Sequence, residues 1–182
     1  MAGPHGVHRD FKIWGLIGGG ADLEVRNANE NTPLIFASCI GERRIIDLLI
    51  RNGAEVNAAG SGGITALMQA ARNGFPDIVE ALASKGVDVD ARDEDGWTPL
   101  MYALHNGEAR AALVLILRGA DMYATNKAGT TIMEHAIEGG FGTENLIEEQ
   151  MEILSERRAK SCVEEGKRAL ARLKHGIDAE VV

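Results

Sequence analysis

Residues 93–103 read Asp93-Glu94-Asp95-Gly96-Trp97-Thr98-Pro99-Leu100-Met101-Tyr102-Ala103, and this stretch decides the fold. It runs on through Gly107 and an apolar segment to Gly119-Ala120-Asp121. Shifted back by 33 residues, Gly96, Thr98, Leu100, Ala103, Gly107 and Gly119 fall on Gly63, Thr65, Leu67, Ala70, Gly74 and Gly86. A second shift puts the last five on Thr32, Leu34, Ala37, Gly41 and Gly53. Shifted forward, Gly96, Thr98, Ala103 and Gly107 fall on Gly129, Thr131, Ala136 and Gly140. Four frames in register identify a tandem array.

Each recurring residue has a physical task. The Thr98 hydroxyl can accept from the free amides of a first helical turn. Pro99 follows at the position where a missing amide costs nothing. Leu100 and Ala103 share one helix face, and the small Ala lets a neighbour approach. Gly107 ends this short helix by tolerating positive φ. Ala112, Leu113, Leu115, Ile116 and Leu117 predict a second helix buried between neighbours, closed by Gly119. Asp95-Gly96 is a tight-turn signal.

This pattern resembles the ankyrin repeat over residues 10–150. Thr32-Pro33-Leu34-Ile35-Phe36-Ala37 and Thr98-Pro99-Leu100-Met101-Tyr102-Ala103 fit that family's Thr-Pro-Leu-His-x-Ala signature except at the His. The closures Gly53-Ala54-Glu55-Val56-Asn57-Ala58, Gly86-Val87-Asp88-Val89-Asp90-Ala91 and Gly119-Ala120-Asp121 fit as well. The resemblance implies an all-α fold: an α-solenoid of helix-turn-helix repeats with short β-hairpin loops and a C-terminal capping helix. The signature His is replaced by Ile35, Met68, Met101 and Glu134. The bonds that His makes from hairpin to helix should therefore be missing and the hairpins looser, although apolar replacements bury no unpaired polar group.

The chain divides accordingly. Residues 1–9 form a disordered start and 10–158 the array. The array comprises a half-repeat at 10–25 and repeats at 26–58, 59–91, 92–124 and 125–158. The half-repeat is either a front cap or the trace of a longer chain; Phe11, Ile13, Trp14, Leu16 and Ile17 would cover the next unit. In the first repeat Glu30 stands where the others have Gly, which predicts a different turn. The second has Ala66 in the Pro place, a soft Gly60-Ser61-Gly62-Gly63 tip and a second helix starting at Pro76. The fourth decays, with Ile132 for Pro and Met133 for Leu. Residues 159–182 read as a capping helix and tail, since the last repeat needs its apolar face shielded; the alternative is a partner-binding or coiled-coil helix.

Composition narrows the function. The 182 residues are 45% hydrophobic and carry a net charge of −8, which argues against nucleic acid as ligand. Two cysteines, Cys39 and Cys162, imply no disulfide framework. No apolar run reaches membrane-spanning length, and Met1-Ala2-Gly3-Pro4-His5-Gly6 has no apolar core of a signal peptide. A cytoplasmic, intracellular monomer is the expectation.

Catalytic patterns fail. Cys39 and His105 lie two repeats apart, about 20 Å at helix-packing spacing, whereas a nucleophile and its base need about 3 Å. His5-x-x-His8 has no further ligand set behind it, and Gly18-Gly19-Gly20 lacks the Gly-Lys-Ser/Thr of a phosphate loop. No enzyme activity, cofactor or metal is expected.

Equivalent positions form rows. Cys39, Arg72, His105 and Glu138 make one, and Ile40, Asn73, Asn106 and Gly139 the next. Asn31, Ile64, Trp97 and Thr130 flank the hairpin turns. The resemblance implies that hairpin and inner-helix rows line a concave groove that holds a partner protein in a regulatory, inhibitory or scaffold role. The candidate contacts are Asn31, Ile64, Arg72, Asn73, Glu94, Asp95, Trp97, Tyr102, His105 and Asn106. Trp97 is singled out because Trp often dominates binding energy; packing over its own hairpin is the alternative. The acidic residues around it suit a basic, apolar-centred partner surface. Two other readings are assembly through the end caps or the C-terminal helix, and hydroxylation of Asn57, which follows Leu49 by eight residues as in hydroxylated ankyrin proteins.

Overall fold

Thr32, Thr65 and Thr98 each begin a helix as the sequence predicts, their hydroxyls accepting from the amides of Ile35, Met68 and Met101 at 3.3 Å. The structure, a computed structural model, describes residues 20, 22–138 and 140. The chain divides into two compact units, Met1–Gly142 and Thr143–Val182, and every described residue belongs to the first. The expectations for residues 1–19, and for the fourth repeat's second helix and the capping helix beyond residue 140, lie outside the described residues.

Seven α-helices occur among the described residues: α1 Pro33–Ile40, α2 Arg43–Arg51, α3 Ala66–Arg72, α4 Pro76–Ala83, α5 Pro99–His105, α6 Ala109–Leu117 and α7 Ile132–Glu138. Helices α1, α3, α5 and α7 pack in succession, as do α2, α4 and α6. The first row is apolar nearly throughout: Leu34, Ile35, Leu67, Met68, Leu100, Met101, Leu104 and Ile132 are buried. Burial of each such side chain contributes roughly 1.5–3 kcal/mol. Three residues in the signature-His place, Ile35, Met68 and Met101, are therefore core. The second row is half-covered. Ile46, Leu82 and Leu115 are buried, but Leu113 is 39% and Leu117 60% exposed. The expectation that this apolar run is wholly buried fails because only one stripe of α6 meets neighbours among the described residues.

No strand is assigned among the described residues, but the hairpin tips keep isolated antiparallel bridges, Ala59 with Thr65 and Thr125 with Thr131. All four tips close alike. The amides of Asn27, Gly60, Asp93 and Asn126 donate to the carbonyls of Asn31, Ile64, Trp97 and Thr130. Glu30 holds φ 58° where Gly63, Gly96 and Gly129 hold 79–81°. The turn of the first repeat thus matches those of the third and fourth, contrary to expectation, with a side chain forced into the left-handed region.

The hairpins are also not loose. Glu94 N donates to Gly62 O and Lys127 N to Asp95 O, both at 2.9 Å, linking successive tips. The Arg26 guanidinium donates to Glu30 O and across to Ala59 O; Arg92 does the same to Gly96 O and Thr125 O. In the fourth repeat Glu134 takes over the missing His bond, accepting from Thr131 N at 2.6 Å and Thr131 Oγ1 at 2.9 Å. In the third and fourth repeats, side chains at the tips tie back to the helices.

Candidate functional site: a ring cluster between the third and fourth repeats

Asp93 begins the third hairpin and is buried. Its Oδ1 accepts from the amides of Asp95 (2.9 Å) and Trp97 (2.7 Å), and its Oδ2 from the Tyr102 hydroxyl (2.6 Å). Three donors offset the desolvation of one carboxylate. Burial, then the bond and charge of Asp93, push the Tyr102 phenol well above its ordinary range, while Arg72 opposes the shift. Asn126 repeats the arrangement one unit on. Its Oδ1 accepts from the Ala128 and Thr130 amides, and its Nδ2 lies 3.3 Å from His135 Nε2.

These anchors bring four rings together. Trp97 is half-buried, with its centroid 5.0 Å from Tyr102, 4.2 Å from His135 and 5.1 Å, edge-on, from His105. Such geometries contribute beyond the area they bury. Trp97 therefore packs over its own hairpin and also onto α7 of the next repeat. His105, exposed at the end of α5, sits with its Nδ1 3.2 Å from Glu138 Oε2. His135 is 2% exposed, and its Nδ1 lies 3.4 Å from the same oxygen without forming a hydrogen bond.

Of the residues singled out from sequence, the structure joins Trp97, Tyr102 and His105 directly. Glu94 and Asp95 are exposed at the tip of the same hairpin, and Arg72 is exposed at the end of α3. Asn73 and Asn106 spend their side-chain amides on the helix ends, donating to Gln69 O (2.8 Å) and Tyr102 O (2.9 Å). Ile64 is half-buried in the second hairpin. Asn31 is half-buried in the first, near Gly60 rather than in the cluster. Arg92 is a clamp between hairpins. Asn57 is exposed, and its Oδ1 accepts from Asp88 N at 3.0 Å.

Three site residues were not singled out: Asp93 as an anchor, Asn126 and His135. The repeat register could have found the last, since Phe36, Gln69, Tyr102 and His135 form one row.

Paired helices stacked by hairpins, with varied side chains on the tips and helix ends, define a repeat protein of the solenoid class. A family model described as ankyrin repeats (three copies) matches residues 11–93 and 42–126. The chain belongs to the ankyrin-repeat family. A comparison with curated proteins gave no match. Ankyrin repeats are generally protein–protein interaction modules and typically non-enzymatic. Among the described residues, no helix is long and apolar enough to cross a membrane.

Proposed function

We propose that this chain recognises a partner protein through the hairpin shoulders and first-helix ends of repeats two to four, centred on Trp97. One observation carries the reading: the positions that recur between repeats are buried or hold the stack, while a half-buried Trp, which a hairpin shoulder does not require, lies among exposed groups. Asn31, Ile64 and Thr130 occupy the equivalent shoulders without an aromatic ring. Glu94, Asp95 and Glu138 leave carboxylates exposed near Trp97, which suits a partner with a basic, apolar-centred surface. In this reading the chain binds as a monomer, in a regulatory, inhibitory or scaffold role, and a surface formed before the partner arrives lowers the ordering cost of binding.

The test is a pull-down from the native cell with wild type beside Trp97→Ala and a Glu94→Lys/Asp95→Lys variant, read by mass spectrometry and then by calorimetry. Trp97→Ala should lower affinity for the captured partner by about 2 kcal/mol or more, a hot-spot magnitude. The exposed charge reversals should slow association without unfolding the chain. Unchanged affinity in both variants, with intact circular dichroism, overturns this site.

A second reading, assembly through the front of the array, rests on a separate feature. An apolar cleft of about 390 Å³ is lined by Val25, Arg26, Asn27, Asn31, Thr32, Pro33 and Phe36. Val25 and Phe36 are about half exposed there, at 57% and 50%. Sedimentation velocity over a range of concentrations separates the readings, because only assembly makes the coefficient rise with concentration.

A further inference from the structure

We infer that His105, His135 and Glu138 form a binding site for a zinc-class divalent cation, joining α5 of the third repeat to α7 of the fourth. Their ligand atoms all lie within 4.8 Å of one another. Zinc holds imidazole nitrogen and carboxylate oxygen at about 2.0–2.2 Å in a tetrahedron, which places ligand atoms about 3.3–3.5 Å apart. Glu138 Oε2 is already 3.2 Å from His105 Nδ1 and 3.4 Å from His135 Nδ1. His105 is exposed and can turn to close the remaining gap. A second, independent observation points the same way. His135 Nδ1 is fully buried and has no hydrogen-bond partner, an arrangement that costs roughly 1–3 kcal/mol when nothing satisfies the group. A cation would take the place of the Nδ1 proton, which then moves to Nε2.

The surroundings define how the site loads. Asn126 Oδ1 is taken by two loop amides, so the group facing His135 Nε2 is the Asn126 amide Nδ2–H. Neutral His135 therefore carries its proton on Nδ1. A cation on Nδ1 requires that proton to reside on Nε2, where it would meet Asn126 Nδ2–H and lose the 3.3 Å contact. The site is consequently tuned below the strength of a carboxylate-supported one, in which an oxygen accepts from the outer ring nitrogen. Asn126→Asp would supply that oxygen while still accepting from both amides. Three protein ligands and an exposed side leave a coordination position open. A partner or solvent oxygen can fill it.

The experiment is calorimetric titration of the full chain with zinc chloride, in a His5→Ala/His8→Ala background so that the start of the chain contributes no ligands. Cobalt absorption, and quenching of Trp97 fluorescence by copper in a Trp14→Phe version of the chain, serve as parallel readouts. One cation per chain should bind. Glu138→Gln and His105→Ala, both at exposed positions, should weaken binding at least about tenfold, since even outer-shell losses cost about 10–100-fold. Asn126→Asp should tighten it about tenfold or more on the same basis. Circular dichroism without metal confirms that each variant folds. No saturable binding by the background protein, affinity unchanged from that background in Glu138→Gln or His105→Ala, or weaker binding by Asn126→Asp overturns the assignment.

Discussion

The Tyr102 hydroxyl donates to Asp93 Oδ2 at 2.6 Å, so the first helix of the third repeat holds its own hairpin through one bond. The carboxylate is buried and its other oxygen serves the turn. The family's signature His is Met101 here, and the neighbouring residue has taken over the link between hairpin and helix. The same carboxylate orients the Trp97 amide, so the candidate contact residue and the repeat's rigidity share one anchor.

Tyr102→Phe should therefore destabilise the chain by about 1–3 kcal/mol, because Asp93 keeps its charge and loses a donor. The pH dependence follows from the raised phenol. An unfolded Tyr titrates near 10, and the folded one holds its proton beyond that. The folded state binds more protons across this window, so its contribution is full below about pH 10 and is lost as pH rises further. Urea unfolding at several alkaline pH values should show a steeper decline for wild type than for Tyr102→Phe. Parallel declines would dismiss the coupling.

Gly96 and Gly129 separate backbone strain from stacking. Both hold the left-handed conformation, at φ 80° and 81°. A Cβ on Gly96 would meet Lys127 N at 3.0 Å, whereas no atom of the described residues lies within 4 Å of one on Gly129. Gly129→Ala should cost about 1–2 kcal/mol, the left-handed penalty alone. Gly96→Ala should cost a further 1–3 kcal/mol or so, because the fourth hairpin must move away. Equal losses in thermal unfolding would mean that the tips do not press on one another.

Glu30 poses the reverse case. It holds φ 58° without the freedom of glycine. Glu30→Gly should relieve about 1–2 kcal/mol of strain and return about 0.5–1 kcal/mol as lost chain entropy. The net expectation is a gain of up to about 1.5 kcal/mol, or a few degrees in Tm. A lower Tm would show that the Glu30 side chain has a stabilising task of its own.

The fold was legible because its determinants are local and repeated. Thr caps, Pro at the first helical position and Gly at helix ends act within one turn of chain, and a 33-residue register multiplies each signal. Trp97, Tyr102 and His105 were legible as variable positions on an otherwise repeated frame. Asp93 was not, because an acidic tip reads as a solvated turn until Tyr102 folds over it. His135 was hidden for a related reason: its burial depends on the Trp97 ring, which lies 38 residues earlier. The exposure of Leu113 and Leu117 was equally out of reach, since periodicity reports which residues are apolar and not which neighbour covers them.

Glu134 gives a test at the acidic end. Its carboxylate accepts from Thr131 N and Oγ1, and Thr131 Oγ1 accepts from Glu134 N at 3.3 Å. This reciprocal cap replaces the missing His bond at the start of α7. The backbone bond from Thr131, and then its hydroxyl, hold the carboxyl below its ordinary value of 4.5. The unfolded state thus takes up the proton first as pH falls. The stabilisation is present above about pH 4.5 and disappears as pH drops through the lower folded value. Glu134→Gln retains an oxygen that can accept from the Thr131 amide but cannot titrate. It should be less stable than wild type near neutral pH, and the difference should close as the pH is lowered past about 4.5, read by urea midpoints across that range. A gap that stays constant with pH would mean that the carboxylate's charge contributes nothing to this cap.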